Sequence, residues 1–148
     1  GEYDNGEGEL SDAATAMDWL QAQNPASREC WIAGFSFGSW IGMQLMMRRP
    51  EIQGFIAATP PALTRDFSFL APCPASGLIV HGEEDEQVPP DAIYKLVERL
   101  SIQKGVKIDI DVISGANHFF TDHLDPMIER ISTYLDKTFS EPNFDPLA

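Results

Sequence analysis

Trp31-Ile32-Ala33-Gly34-Phe35-Ser36-Phe37-Gly38-Ser39-Trp40 is the stretch that decides the fold. At its centre lies G-x-S-x-G, the pattern in which a buried strand turns sharply into a helix and holds a serine oxygen clear of the sheet. The flanks agree with that reading. Glu29 to Phe35 is almost continuously apolar, as expected of a strand covered on both faces, and Ser39 to Arg49 reads as a helix stopped by Pro50. Gly34 and Gly38 are expected where strand and helix backbones come too close for side chains. Glycine and serine are common, so the string alone would also describe an ordinary glycine-rich turn. The strand before it and the helix after it make it an elbow.

Working outward, Leu10, Ala13, Ala14, Met17 and Leu20 recur at helical spacing from about Leu10 to Ala22, and Asn24-Pro25 closes that segment. This helix is expected to cover one face of a sheet. Downstream, Gly54 to Ala58 and Gly77 to His81 are short buried strands. The interval Thr59 to Ser76, broken by prolines and carrying Phe67, Phe69 and Leu70, is too short for an inserted domain and reads as a rim with exposed aromatic residues. A helix from about Pro90 to Gln103 precedes Val106 to Val112, where apolar and charged residues alternate as in a half-exposed outer strand. A last helix, Leu124 to Phe139, presents Met127, Ile128, Ile131, Tyr134 and Leu135. Residues 141–148 read as a loosely ordered tail after a single domain over 1–140. Strands alternating with helices imply an α/β domain with a mainly parallel sheet and helices on both faces.

Composition narrows the function. A chain of 148 residues, 43% hydrophobic, supports one core. No apolar run approaches the length of a membrane span and no signal peptide is evident, so a soluble protein is expected. Cys30, placed in the elbow strand, and Cys73, between prolines, do not make a disulfide framework, which suits a reducing cytoplasm. A formal charge of -13 repels phosphate backbones and anionic lipids, arguing against nucleic-acid or membrane partners. Asp4, Glu7 and Glu9 in the acidic opening loop lack calcium-loop spacing, and solvated turn acids are the simpler reading. No metal or cofactor is called for.

In parallel α/β sheets, ligands gather at the carboxyl ends of the strands. Ser36, Asp85 and His118 all fall there, in that chain order. A serine hydroxyl is a poor nucleophile near neutral pH; an imidazole can take its proton, and a buried carboxylate can fix the imidazole's tautomer. Asp85 is preferred over Glu83, Glu84 and Glu86 by the G-x-x-D-x-x-V spacing of the turn after the third strand. His118 lies on the loop Ser114 to Phe120. His81 is expected to be a packed, hydrogen-bonded residue, and His123 is the reserve base.

The opening residues Gly1 to Asp12, the elbow G-F-S-F-G-S-W-I-G, the turn H-G-E-E-D-E-Q-V-P and the loop G-A-N-H-F-F together resemble the α/β-hydrolase superfamily. More narrowly, they are similar to small bacterial hydrolases related to dienelactone hydrolases and to the catalytic domains of prolyl peptidases. The resemblance covers nearly the whole chain. It implies Ser36 as nucleophile, Asp85 as orienting acid, His118 as base and the Phe37 N–H as an oxyanion-hole donor. Dienelactone hydrolases carry cysteine where this chain has Ser36, which favours ester, thioester or amide chemistry. In that family further strands, and a second oxyanion donor, precede the first motif found here. The chain is therefore expected to be the C-terminal portion of an α/β-hydrolase fold, incompetent by itself, with an open sheet edge that invites a homo-oligomer or another partner; the alternative is a reduced member of the family. The expected activity is a serine hydrolase acting on a small-molecule acyl substrate. The alternative is a binding or scaffold protein that keeps the fold without turnover.

Overall fold

A computed structural model describes residues 1–140. The elements run α1 (Glu7–Gln23), β1 (Trp31–Phe35), α2 (Phe37–Arg48), β2 (Gly54–Ala58), β3 (Gly77–Gly82), α3 (Pro90–Ser101), β4 (Ile108–Ile113) and α4 (Leu124–Ser140). The strands make one four-stranded sheet in the order β1-β2-β3-β4, and every pairing is parallel. Because the register pairs Phe35 with Ala58, Ala58 with Val80 and Gly82 with Ile113, the carboxyl ends of all strands share one edge. The predicted tail over 141–148 lies outside the described residues.

Alternation along the strands divides the core. Phe55, Ala57 and Ile79 join Met43, Leu45, Met46, Ile93 and Leu96 of α2 and α3 on one face. Ile56, Ala58, Leu78 and Val80 meet Ile113, Ala116 and Phe120 on the other, where Met127, Ile131, Tyr134 and Leu135 of α4 lie against them. β2 and β3 are buried throughout, which explains why their sequences read as unbroken apolar runs. β4 is the outer strand its alternation predicted, with its middle residues half-buried. None of the helices among the described residues is long and apolar enough to cross a membrane.

Several expectations change. β1 is not covered on both faces: Ala33 and Phe35 are exposed because it is an edge strand and α4 packs mainly on β3 and β4, reaching β1 at its start through Trp31, whose ring meets those of Tyr134 and Phe139. No strand among the described residues pairs with its outer side, and an edge of unpaired N–H and C=O groups is a template for another strand. α1 packs on α2 rather than on the sheet. It begins earlier than predicted, at Glu7, where the Glu9 carboxylate accepts the Gly6 N–H at 2.9 Å in a capping arrangement. Leu20 and Ile128, predicted on inner helix faces, are exposed. The interval 59–76 is less of an exposed rim than expected, since Phe67, Leu70 and Cys73 are buried in the core. Cys30 lies just ahead of β1 and is half-buried; both cysteines are free.

The two elbow glycines are not equivalent. A Cβ on Gly34 would lie 2.5 Å from the Gly38 carbonyl oxygen and 2.6 Å from the Ser39 Cα, so β1 and α2 can approach only with glycine there. A Cβ on Gly38 would meet nothing within 4 Å, which overturns the steric role predicted for it. Gly34→Ala should therefore destabilise the fold by about 1–3 kcal/mol or more through overpacking against backbone. Gly38→Ala, inside α2, should hold or raise stability by up to about 1 kcal/mol. Urea unfolding midpoints of the two variants measure the contrast, and equal losses would contradict it.

Candidate active site

Ser36 leaves β1 with φ 49° and ψ −120°, a conformation that non-glycine residues rarely adopt. Hydrogen bonds over-determine it. The Ser36 N–H donates to the Ala58 carbonyl at 2.8 Å, extending the β1–β2 pairing by one residue. On the other side, the Ser36 carbonyl accepts both the Ser39 N–H at 2.9 Å and the Ser39 hydroxyl at 2.6 Å. Ser39, itself buried, had not been singled out by pattern; its signal was only that a polar residue stands three positions past the turn serine. Phe37 opens α2, so its N–H has no intrahelical acceptor and belongs to the donor end of the helix.

The acid loop leaves β3 at Gly82. Asp85 is 4% exposed, and its carboxylate is surrounded by donors. Oδ1 accepts the Gln87 and Val88 N–H groups, each at 2.9 Å, and Oδ2 accepts the His118 Nδ1–H at 2.7 Å. A buried carboxylate stays ionised only when hydrogen bonds of this kind replace water. With Nδ1 donating, His118 Nε2 is the bare nitrogen, and the Ser36 hydroxyl donates to it across 3.0 Å. The candidates Ser36, Asp85 and His118 thus meet in one line, and His118 is 5% exposed. Its ring packs against the exposed rings of Phe35 and Phe119, with centroids 5.6 and 5.0 Å away, and those two rings in turn lie 6.0 Å from each other.

The other acids and histidines separate cleanly. Glu84 and Glu86 are exposed. Glu83 is exposed too, but its Oε2 accepts the Ser114 hydroxyl at 2.8 Å and the Gly115 N–H at 3.1 Å, so it ties the acid loop to the His118 loop. These two bonds hold its carboxyl below the usual glutamate range. Sequence reading had counted Glu83 only as a competitor of Asp85. The loops can close on each other because Gly82 has no side chain, where a Cβ would collide with the Ala116 and Asn117 carbonyls. His123 bonds the Thr121 carbonyl at 2.9 Å, and the histidine bonded to the Ser36 hydroxyl is His118. Asp4 and Glu9 bond the backbone around the α1 N-terminus, and no group of His, Cys, Asp and Glu among the described residues is arranged to hold a metal ion.

His81 is fully buried, with Nε2 donating to the Val88 carbonyl at 2.7 Å and Nδ1 without a partner among the described residues. Burial pushes its pKa below the ordinary 6.5. The native protein therefore keeps His81 neutral at a pH where the unfolded chain binds a proton, and stability must fall as pH drops below about 6.5. His81→Gln removes that titration. Urea unfolding between about pH 5 and 8 should show a shallower loss of stability on the acid side in the variant, and an unchanged slope would contradict the assignment.

A sequence model of the dienelactone hydrolase family matches residues 4–138. The uncharacterized protein RP471 of Rickettsia prowazekii is 50% identical over 139 residues, an alignment that covers 91% of this chain and 58% of that protein. Among solved structures, the alpha/beta hydrolase candidate ATU1826 of Agrobacterium tumefaciens superposes with a TM-score of 0.91 at 53% identity, over 94% of this chain and 64% of that one. XC6422 of Xanthomonas campestris, a serine hydrolase without lid, gives a TM-score of 0.82 at 30% identity, over 93% of this chain and 60% of that one. The chain therefore spans less than two thirds of the length of each of these relatives. With the parallel sheet, the strained serine at its carboxyl edge and a family match over nearly all the described residues, the chain belongs to the dienelactone hydrolase family and has the α/β-hydrolase fold.

Proposed function

We propose that this chain carries the catalytic centre of a serine hydrolase that cleaves an ester, thioester or amide of a small soluble substrate through an acyl-enzyme. The observation that carries the reading is the unbroken line from the Asp85 carboxylate through His118 to the Ser36 hydroxyl, at 2.7 and 3.0 Å. Ser36 Oγ attacks the carbonyl carbon while His118 Nε2 takes its proton. Asp85 keeps Nδ1 protonated and stabilises the imidazolium. The tetrahedral oxyanion forms beside the start of α2, where the Phe37 N–H is a donor and the helix dipole favours negative charge. His118 then returns the proton to the leaving group, the carbonyl re-forms, and water repeats the sequence to release the acid and free Ser36. No cofactor or metal takes part in these steps. Both cysteines are free, in keeping with a reducing cytoplasm, and the outer edge of β1, unpaired among the described residues, supports pairing with a second copy or another segment.

A fluorophosphonate probe should label Ser36 in the complete protein and leave its Ser36→Ala variant unmodified. Turnover of an activated ester should fall by about 10⁴- to 10⁶-fold in Ser36→Ala or His118→Ala, with Asp85→Asn losing less, because the residues act as a unit. Near-normal turnover in His118→Ala, or a complete protein that never labels, would favour a binding or scaffold role instead.

The segment between β2 and β3 holds no helix, and its Phe67, Leu70 and Cys73 are turned into the core rather than over Ser36. The lidless relative from Xanthomonas campestris fits this reading. Short, water-soluble acyl esters should therefore be hydrolysed without activation by a lipid interface. A rate that jumps only when long-chain substrate forms an emulsion would contradict it.

A further inference from the structure

His81 takes no part in the steps above, yet it is fully buried one residue before the end of β3 and directly behind the acid loop. Its hydrogen bonding gives it a single strong attachment. A carbonyl can only accept, so the 2.7 Å contact with the Val88 oxygen puts the ring proton on Nε2 and leaves Nδ1 bare. The Val88 N–H donates in turn to Asp85 Oδ1 at 2.9 Å. Val88 is thus held by His81 and itself holds Asp85. The same Nε2 lies 3.6 Å from Asp85 Oδ2, the oxygen that receives the His118 proton.

We propose that His81 is a positioning residue, which closes the loop from β3 to Val88 and so holds the Asp85 carboxylate in line with His118. The proposal rests on the triad assignment above. Histidine suits the place for reasons of shape and charge. An aliphatic side chain would fill the space and leave the buried Val88 carbonyl unpaired. A lysine would bring a cation against Asp85 and take up the negative charge that His118 needs when it becomes an imidazolium. Neutral imidazole, which burial favours, supplies the donor without the charge.

The test compares His81→Gln with His81→Asn in the full chain. A glutamine amide nitrogen reaches the place of Nε2, whereas an asparagine amide stops near Nδ1 and cannot reach Val88. Two readouts are needed: the saturation kinetics of fluorophosphonate labelling at Ser36, and the downfield proton resonance of His118 Nδ1–H, which reports its bond to Asp85. His81→Gln should label within about threefold of the unaltered chain. His81→Asn should be about 10- to 100-fold slower at saturation, with the half-saturating probe concentration unchanged, because a small misplacement near the reacting groups costs rate rather than affinity. Its His118 resonance should shift or vanish while far-ultraviolet dichroism stays that of a folded protein. Equal labelling rates in the two variants, or an unmoved His118 resonance in folded His81→Asn, overturn the proposal. Should His81→Asn fail to fold, His81→Phe replaces it, keeping the ring volume without the donor. Should the unaltered complete protein fail to label, the hydrolase reading fails, and the His118 resonance still decides whether His81 positions Asp85.

Discussion

The approach of α2 to β1 at Gly34 is the constraint on which the carboxyl edge depends. With a Cβ at Gly34 held 2.5 Å from the Gly38 oxygen, helix and strand could not meet, and the Ser36 backbone could not take its strained turn. The strain persists because Ser36 is gripped from both sides, by Ala58 through its N–H and by Ser39 through its carbonyl. The cost in backbone energy is matched by a placement no relaxed turn offers: a hydroxyl standing above the sheet edge, next to the free N–H groups that open α2.

The second organising element is the burial of the Asp85 charge. A carboxylate with no water would be neutralised if it lacked donors. Here the backbone of its own loop supplies two and His118 a third, so the residue that orients the imidazole is itself oriented by the peptide chain around it. Glu83, on the solvent side of the same loop, ties that chain to the loop bearing His118, while His81 secures it from the core. Loops from two strands thereby behave as one unit, and the parallel register of β3 and β4 sets their starting points side by side.

Much of this was legible in the amino-acid order. Strands buried on both faces leave unbroken apolar runs, and Gly54 to Ala58 is assigned by sequence and structure over the same residues. The outer position of β4 was written in its alternation of isoleucine and aspartate. The residue types and order of Ser36, Asp85 and His118, each past a strand end, singled out three residues that the structure brings into hydrogen-bond contact. What misled the reading was the assumption that apolar means covered. β1 is as apolar as β2, yet half of it is open, because coverage depends on where α4 lands and on what pairs at the sheet edge. Phe67 and Leu70 failed in the opposite direction, since a proline-broken segment can still turn its apolar side chains inward.

The sequence by itself determined the alternation of strands and helices, the elbow around Ser36 and the chain order of the residues that meet there. These are local properties, carried by periodicity, turn chemistry and residue type. Only the tertiary structure decided that Gly34 and not Gly38 is sterically required, that Glu83 is a tether, and that His81 grips the Asp85 loop from beneath. Each of those depends on atoms brought together from distant parts of the chain: α2 folding back on β1, Ser114 and Gly115 arriving beside Glu83, and Val88 returning over His81. Local pattern carries no record of such distances, which are set when the parallel strands align and the loops at their carboxyl ends close on one another.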